Sequence, residues 1–217
     1  SELSGGQRQR VALARCLAMQ PDIVLLDEPL ANLDAHLKES MQQQFRDFHE
    51  STGATMVYVT HDQAEAMALA DRVAVMDDGK LVQIAAPSEL YACPASSMVA
   101  RFIGRGQVLD AETLGESGDR MRVSLCGVEA TVRGKAAARK PVTLCLRPEW
   151  MELAEPGSAA AISGQIVKRI YRGAVTSLEI APDAGGPNLH VEAPGDQGRV
   201  GNSTAVRIRD GWIIPED

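Results

Sequence analysis

The apolar run Ile23-Val24-Leu25-Leu26, together with the acids that end it, constrains the fold of this chain more than any other feature. Four consecutive apolar residues predict a strand that is covered on both faces, as in a parallel sheet. Asp27, Glu28 and Pro29 follow at its carboxyl end, which is where open α/β sheets bind their ligands. The run therefore predicts an α/β domain with a polar site at this edge.

The segments around this run alternate in the way that such a domain requires. Further apolar runs at 56–59 and 73–76 alternate with helical periodicity at 7–19, 37–51 and 62–70, which indicates a largely parallel sheet. Asp77-Asp78-Gly79-Lys80 predicts a tight turn that closes a hairpin. A short helix follows, with Ser88 as its expected N-cap.

From Gly104 onward the pattern changes to short β segments that glycine and proline separate. Such regular spacing predicts an all-β barrel or sandwich. The expected strands are 122–125, 128–132, 142–146, 164–170, 177–180, 189–191 and 204–208. The chain thus divides into an α/β part, a short helical linker and an all-β part.

Charge and composition exclude several functional classes. The net charge is -7, and the basic residues between Arg133 and Lys140 have no aromatic residues among them, so no nucleic-acid-binding surface is expected. The four cysteines form no C-x-x-C pair, which gives no indication of a zinc site. Because no apolar run approaches the ~18 residues of a membrane span, we expect any link to a membrane to run through a partner.

Three short segments carry candidate chemistry. Asp27 is placed to hold Mg²⁺, and Glu28 to accept a proton from an attacking water. Ser4-Gly5-Gly6-Gln7 precedes a helix, where backbone N–H groups bind phosphate oxygens, and His61 ends the next strand. Each segment alone also fits a structural role: acids are common in surface turns, Ser4 fits a helix cap, and His61 fits a structural histidine.

The segments occur together and in order, and in this order they resemble the ATP-binding cassette (ABC) family. LSGGQRQRVALAR is similar to its signature motif and helix, and IVLLDEP to its Walker B strand with the catalytic glutamate. Ala31-Asn32-Leu33-Asp34 is similar to its D-loop, although Asn32 replaces a commoner small residue. Val59-Thr60-His61-Asp62 is similar to its switch histidine. The later sequence, including Leu146-Arg147-Pro148-Glu149, resembles the importer subgroup whose tail is an oligonucleotide-binding-like (OB-like) TOBE domain.

The resemblance implies a fold, partners and residue roles. It implies a partial P-loop NTPase domain at 1–85, a helical linker at 86–103 and a TOBE-type regulatory domain at 104–217. With ATP and Mg²⁺ as cofactors, Asp27 would coordinate the metal, Glu28 would polarise the hydrolytic water, and His61 would contact the γ-phosphate. Asp34 would couple the two sites of a homodimer. The residues that would grip ATP bound to the opposite subunit are Ser4, Gly5, Gly6 and Gln7.

The implied protein is the ATPase subunit of an importer, cytoplasmic and peripheral on the inner face of the membrane through its transmembrane permease partners. The resemblance of the linker and tail favours ferric iron or polyamines as the solute. The chain contains no G-x-x-x-x-G-K-[ST] loop, which in the family precedes the signature motif. We therefore expect that the missing half lies upstream and that the 217-residue chain alone is inactive.

Two other classes of function stay open at this stage. A cassette protein of translation or DNA repair is disfavoured by the β-rich tail and by the lack of a basic arm. A non-catalytic regulatory or dimerisation module is the alternative. In that case Arg147 or Arg172, both near turns, would bind an anion, unless these arginines serve only surface solubility.

Overall fold

The structure, a computed structural model, describes residues 11–12, 14–16, 18–19, 21–31 and 33–216. It contains two compact units: Ser1–Val73 with Ala85–Pro87, and Ala74–Ile84 with Ser88–Asp217. The described residues of 11–19 are helical, as predicted, while 7–10 lie outside the described residues.

The first unit is built on two parallel strands, β1 (Ile23–Asp27) and β2 (Thr55–Val59). Helix α1 (Ala35–Thr52) connects them, and the Asp34 side chain caps its N-terminus. Gly53 ends this helix in the left-handed conformation, with φ of 64°, which favours glycine because it has no Cβ. The parallel connection through a helix is the α/β arrangement that the sequence predicted.

One face of the β1–β2 pair is covered by α1. The buried side chains come from β1, the turn after it and the helix, and the partly buried Met56 and Tyr58 of β2 pack against them. The buried residues include Val24, Leu30, Met41, Phe45 and Phe48. Helix α2 (Gln63–Leu69) follows β2 directly. Among the described helices, none has the length and apolar character needed to cross a bilayer.

The prediction that the first strand is covered on both faces is wrong for the described chain. Leu25 is 75% exposed, and Ile23 lies on the same face with 61% exposed. Their neighbours on β2, Val57 and Val59, are also about half exposed. Alternate residues of a strand point to opposite faces, and α1 packs only on the face that carries Val24.

The predicted hairpin is confirmed as β3 (Val73–Asp77) and β4 (Lys80–Ala85). The prediction that it ends the parallel sheet is wrong for the described residues, because β3 and β4 form a two-stranded sheet of their own and β1 pairs only with β2. Its turn residues, Asp78 and Gly79, both have positive φ, as a two-residue hairpin turn requires. Two short helices follow, α3 (Pro87–Ala92) and α4 (Ser97–Phe102). Ser88 lies inside α3 rather than at its cap, because the helix begins one residue earlier at proline, whose fixed φ suits a first helical position.

Two five-stranded antiparallel sheets dominate the second unit. The strands are β5 (Gln107–Ser117), β6 (Arg120–Leu125), β7 (Val128–Val132), β8 (Pro141–Leu146), β9 (Met151–Ala154), β10 (Ile162–Tyr171), β11 (Val175–Pro182), β12 (Leu189–Pro194), β13 (Ser203–Ile208) and β14 (Trp212–Ile213). The strand orders in the two sheets are β12-β11-β10-β13-β9 and β14-β8-β5-β6-β7. A 3₁₀ turn, Pro148–Trp150, precedes β9.

A single apolar core joins the two sheets. Val123 and Leu144 from one sheet and Ile180 and Val206 from the other are fully buried in it. Each predicted β segment falls within an observed strand, which confirms an all-β, OB-like second domain. Three strands escaped prediction: β5, β9 and β14.

Arg147 is a buried residue that connects separate elements of the second unit by hydrogen bonds, and it is not a surface residue. Its side chain is fully buried, and its guanidinium donates hydrogen bonds to the backbone carbonyls of Ala100 (2.9 Å), Ile103 and Tyr91 (2.7 Å). The guanidinium carbon also lies 4.3 Å from the centre of the Tyr91 ring. The prediction of a surface arginine is wrong for Arg147, because its side chain is buried and three of its hydrogen bonds hold α3 and α4 on the β domain.

Candidate functional site

The carboxyl ends of β1 and β2 bring two of the predicted site residues together. In the parallel register, Asp27 lies opposite Val59, so that the residues that follow each strand meet at one edge. There the Glu28 Oε1 and His61 Nδ1 atoms are 2.9 Å apart. The sequence-based expectation that this edge carries the polar site is consistent with that distance.

Glu28 has an unusual backbone. It lies just beyond β1 with φ of 43°, in the left-handed region that few residues other than glycine adopt. Its N–H donates to the Val59 carbonyl at 2.9 Å, and its carbonyl accepts from Ala31 N–H across a turn that has Pro29 at its second position. This anchored turn rotates Glu28 away from the strand direction and toward His61.

The contact favours a hydrogen on Nδ1 of the His61 ring. A carboxylate can only accept hydrogen bonds, so His61 donates to Glu28 either as the Nδ1–H tautomer or as the protonated ring. The hydrogen bond to Glu28, and next the charge of Glu28, raise the pKa of His61 above its usual range. The His61 side chain is 78% exposed, and its Nε2 is therefore available to a second group such as a phosphate oxygen.

Asp27 is suited to a magnesium ion. It ends β1, its residue is exposed, and no described side chain or backbone group occupies its carboxylate. Mg²⁺ is commonly held by one or two carboxylates, with water and substrate phosphates completing its shell. Within the described residues no group of three potential metal ligands occurs.

Asp34 takes a local role that the sequence did not specify. Its Oδ1 accepts the Leu37 N–H at 2.9 Å, and its carbonyl accepts the Lys38 N–H, so it begins α1 as an N-cap. Neither the Asp34 side chain nor Asp27 contacts His61 in the described structure. The structure therefore brings together Glu28 and His61, with Asp27 adjacent in the chain and Asp34 at the start of the neighbouring helix.

Comparison with known proteins agrees with the motifs. The profile of the ABC transporter family matches residues 1–31, and that of the TOBE domain matches residues 144–214. The chain belongs to the ATP-binding cassette family. The first match contains Asp27 and Glu28, and the second lies within the all-β domain of this cassette chain.

Several curated relatives are similar to most of this cassette chain. It is 40% identical to the Fe(3+) ions import ATP-binding protein FbpC of Rhizobium etli, over 85% of the chain and 52% of the relative. It is 39% identical to the Fe(3+) ions import ATP-binding protein FbpC 1 of Rhizobium meliloti, over 96% of the chain and 58% of the relative. It is 43% identical to the spermidine/putrescine import ATP-binding protein PotA of Pseudomonas aeruginosa, over 81% of the chain and 50% of the relative. The chain spans about half the length of the curated relatives it matches.

Some predicted residues of the cassette site cannot be placed, and two others were missed. Ser4, Gly5, Gly6 and Gln7 lie outside the described residues, as does Asn32. Sequence reasoning missed the half-buried Lys38 and the buried Glu65, which form an ion pair next to the turn that carries His61. The available signal was the period-2 spacing of Tyr58 and Thr60, which directs the hydroxyls at the end of β2 and just beyond it to the same side.

Proposed function

We propose that this chain is part of an ATP-hydrolysing subunit of an importer, and that Glu28 and His61 act in the hydrolysis. The observation that carries the proposal is the 2.9 Å contact between these side chains, at the strand edge where an ABC sequence places its catalytic pair. The neighbouring carboxylate of Asp27 would hold Mg²⁺, which supplies charge stabilisation to the phosphates.

The geometry supports distinct roles for the two residues. Glu28 has a second carboxylate oxygen that can accept a hydrogen bond from water and so orient it. His61, with Nδ1 held by Glu28, can direct Nε2 to a γ-phosphate oxygen, and its raised pKa favours the cationic form that would bind an anion. We propose these roles for Glu28 and His61 on the basis of that geometry.

The remaining parts of the proposal rest on family membership. We propose that Ser4, Gly5, Gly6 and Gln7 bind the ATP of a second subunit and that Asp34 couples the two sites. Residues 1–85 would be half of an ATPase domain, 86–103 a linker and 104–217 a regulatory domain. Transmembrane permease subunits would hold the homodimer at the cytoplasmic face of the membrane. Ferric iron or a polyamine is the proposed solute, because similar chains carry those names.

The test is an ATPase assay on the full-length protein that contains these residues, next to calorimetry of the 217-residue chain with Mg-ATP. We expect Glu28→Gln to reduce hydrolysis by about 10²-fold or more while leaving ATP binding intact. Glu50→Gln, an exposed change on α1, is the control and should retain activity. Normal hydrolysis in the Glu28→Gln variant would reject the catalytic assignment.

Calorimetry tests the expectation that the 217-residue chain is inactive by itself. The chain has no G-x-x-x-x-G-K-[ST] loop, and such a loop provides most of the N–H groups that hold a triphosphate. We expect no ATP binding at micromolar concentration. Tight binding by this chain would show that its nucleotide site lies elsewhere than at Glu28 and His61.

A further inference from the structure

Glu65 is a buried acid whose oxygens are both engaged. Its side chain is 4% exposed in the first turn of α2. Carboxylates are rarely buried unless they are paired, because burial removes them from water. Here Oε1 accepts from Lys38 Nζ at 2.9 Å, and Oε2 accepts from the hydroxyls of Tyr58 at 3.0 Å and Thr60 at 2.8 Å.

The hydroxyl of Thr60 connects this acid to the turn that carries His61. A hydroxyl has a single hydrogen, and Thr60 donates it in the hydrogen bond to Glu65. The oxygen lone pairs of Thr60 are then directed at Asp62, whose N–H donates to Oγ1 at 3.0 Å. This second bond closes over His61, since it joins the residues on either side of it. Glu65 therefore fixes the rotamer that closes the turn.

Lys38 extends the same network to the start of α1. Besides Glu65, its Nζ donates to Asp62 Oδ2 at 3.1 Å, while Asp62 Oδ1 accepts from Ala64 N–H as the cap of α2. The backbone N–H of Lys38 donates to the carbonyl of Asp34 at 2.9 Å. The Lys38 ammonium group thus connects the first turn of α1 directly to Asp62, and through Glu65 to Thr60.

The charges make this arrangement self-consistent. The hydrogen bonds to Glu65 and then Asp62 raise the pKa of Lys38, which keeps it cationic. The hydrogen bond to Lys38 is the largest influence that lowers the pKa of Asp62. Burial, followed by the bond to Glu65, raises the pKa of Tyr58, so that its phenol stays a donor.

We propose that Glu65 is a positioning residue for His61: through Thr60 it holds the 60–62 turn in the one shape that presents Nδ1 of His61 to Glu28. Through Lys38 it also links this turn to the segment that Asp34 caps. The importance of this placement for hydrolysis rests on the proposed function, but the placement itself can be measured without nucleotide.

The test uses ¹⁵N spectra of the histidine rings in the 217-residue chain, with His61 assigned from the His61→Asn variant. In the parent chain, neutral His61 should be mainly the Nδ1–H tautomer, because that hydrogen bonds to Glu28. Thr60→Val and Glu65→Gln should lose most of this preference, and Thr60→Ser should restore it. Thr60→Val changes no charge, so its effect on the ring would be one of placement.

Two matched variants separate positioning from simple packing. Tyr58→Phe removes a hydroxyl from the same Glu65 oxygen, but from the strand instead of the turn, so it should lower stability without altering the His61 tautomer. Glu39→Gln removes an exposed charge beside Lys38 and should change neither. Circular dichroism checks that each variant folds, and Lys38→Met replaces Thr60→Val if the latter does not.

An unchanged His61 spectrum in folded Thr60→Val and Glu65→Gln would overturn the proposal. The link to hydrolysis has its own measurement in the full-length protein. There Thr60→Val should lower kcat by up to about 10²-fold, the order expected for misplacing a group by about 1 Å, with ATP binding retained and with Thr60→Ser active. Absence of hydrolysis in the parent protein would reject the proposed function alone, since the tautomer experiment contains no ATP.

Discussion

Replacing Arg147 by methionine should destabilise the second unit, because three backbone carbonyls lose a charged donor, although the Gly106 N–H still donates to the carbonyl of Ala100. The change keeps most of the aliphatic stem, so that the cavity left behind is small. A hydrogen bond to a charged group contributes about 1.5–3 kcal/mol, and Arg147 makes three of them to Ala100, Ile103 and Tyr91. Removal of the buried cation returns several kcal/mol of desolvation. We expect a net loss of about 2–4 kcal/mol.

Tryptophan fluorescence offers a selective assay for this loss. The chain has two tryptophans, Trp150 and Trp212, and both lie in the second unit. Urea unfolding followed by their emission should show an earlier midpoint with an unchanged slope for Arg147→Met. Arg172→Met is the matched control: it is an exposed arginine at a hairpin and should stay within about 0.5 kcal/mol of the parent. A loss below about 0.5 kcal/mol in Arg147→Met would refute the reasoning.

Two further predictions concern Gly104 and His61. Gly104→Ala should cost about 1–3 kcal/mol more than Gly118→Ala in the same urea assay, because the two glycines have φ of 65° and 63° but only at Gly104 would the new Cβ clash with the Tyr91 ring. Equal costs would contradict the clash. Glu28→Gln should lower the pKa of His61 in an NMR titration, since Glu28 is the main cause of its raised value. A histidine whose pKa is raised on folding stabilises the folded chain fully below the unfolded pKa of about 6.5, and this contribution is lost as pH rises through the folded pKa. The difference in unfolding free energy between the parent and Glu28→Gln should therefore shrink as pH rises through the folded pKa of His61. A difference that stays constant with pH would contradict this prediction.

The sequence predicted strands well where a short segment is rich in apolar or β-branched residues. The strand β7 (Val128–Val132) was predicted with its observed bounds. By contrast β5 was missed, although Leu109 and Ala111 are buried, because acids at Asp110 and Glu112 alternate with them and reduce the apolar content of the segment. The observed register pairs β5 with both β6 and β8, and this long-range pairing stabilises a strand that local preference leaves ambiguous.

The candidate site was predictable only in part. Parallel strands place their carboxyl ends together, so the proximity of Glu28 and His61 follows from the fold class. The left-handed backbone of Glu28 and the burial of Glu65 did not follow, because each depends on partners distant in the sequence. Arg147 shows the same limit: its motif indicated a turn, whereas its burial depends on carbonyls more than forty residues away.

At Glu28 the residue types that the left-handed backbone favours differ from the carboxylate that the contact with His61 requires. A designer who optimised this turn for stability alone would choose glycine or asparagine, which adopt positive φ at lower cost. Either choice would remove the carboxylate that faces His61. Stabilising substitutions at position 28 would therefore act against the site, and variants selected only for heat resistance should be expected to lose it first at this residue.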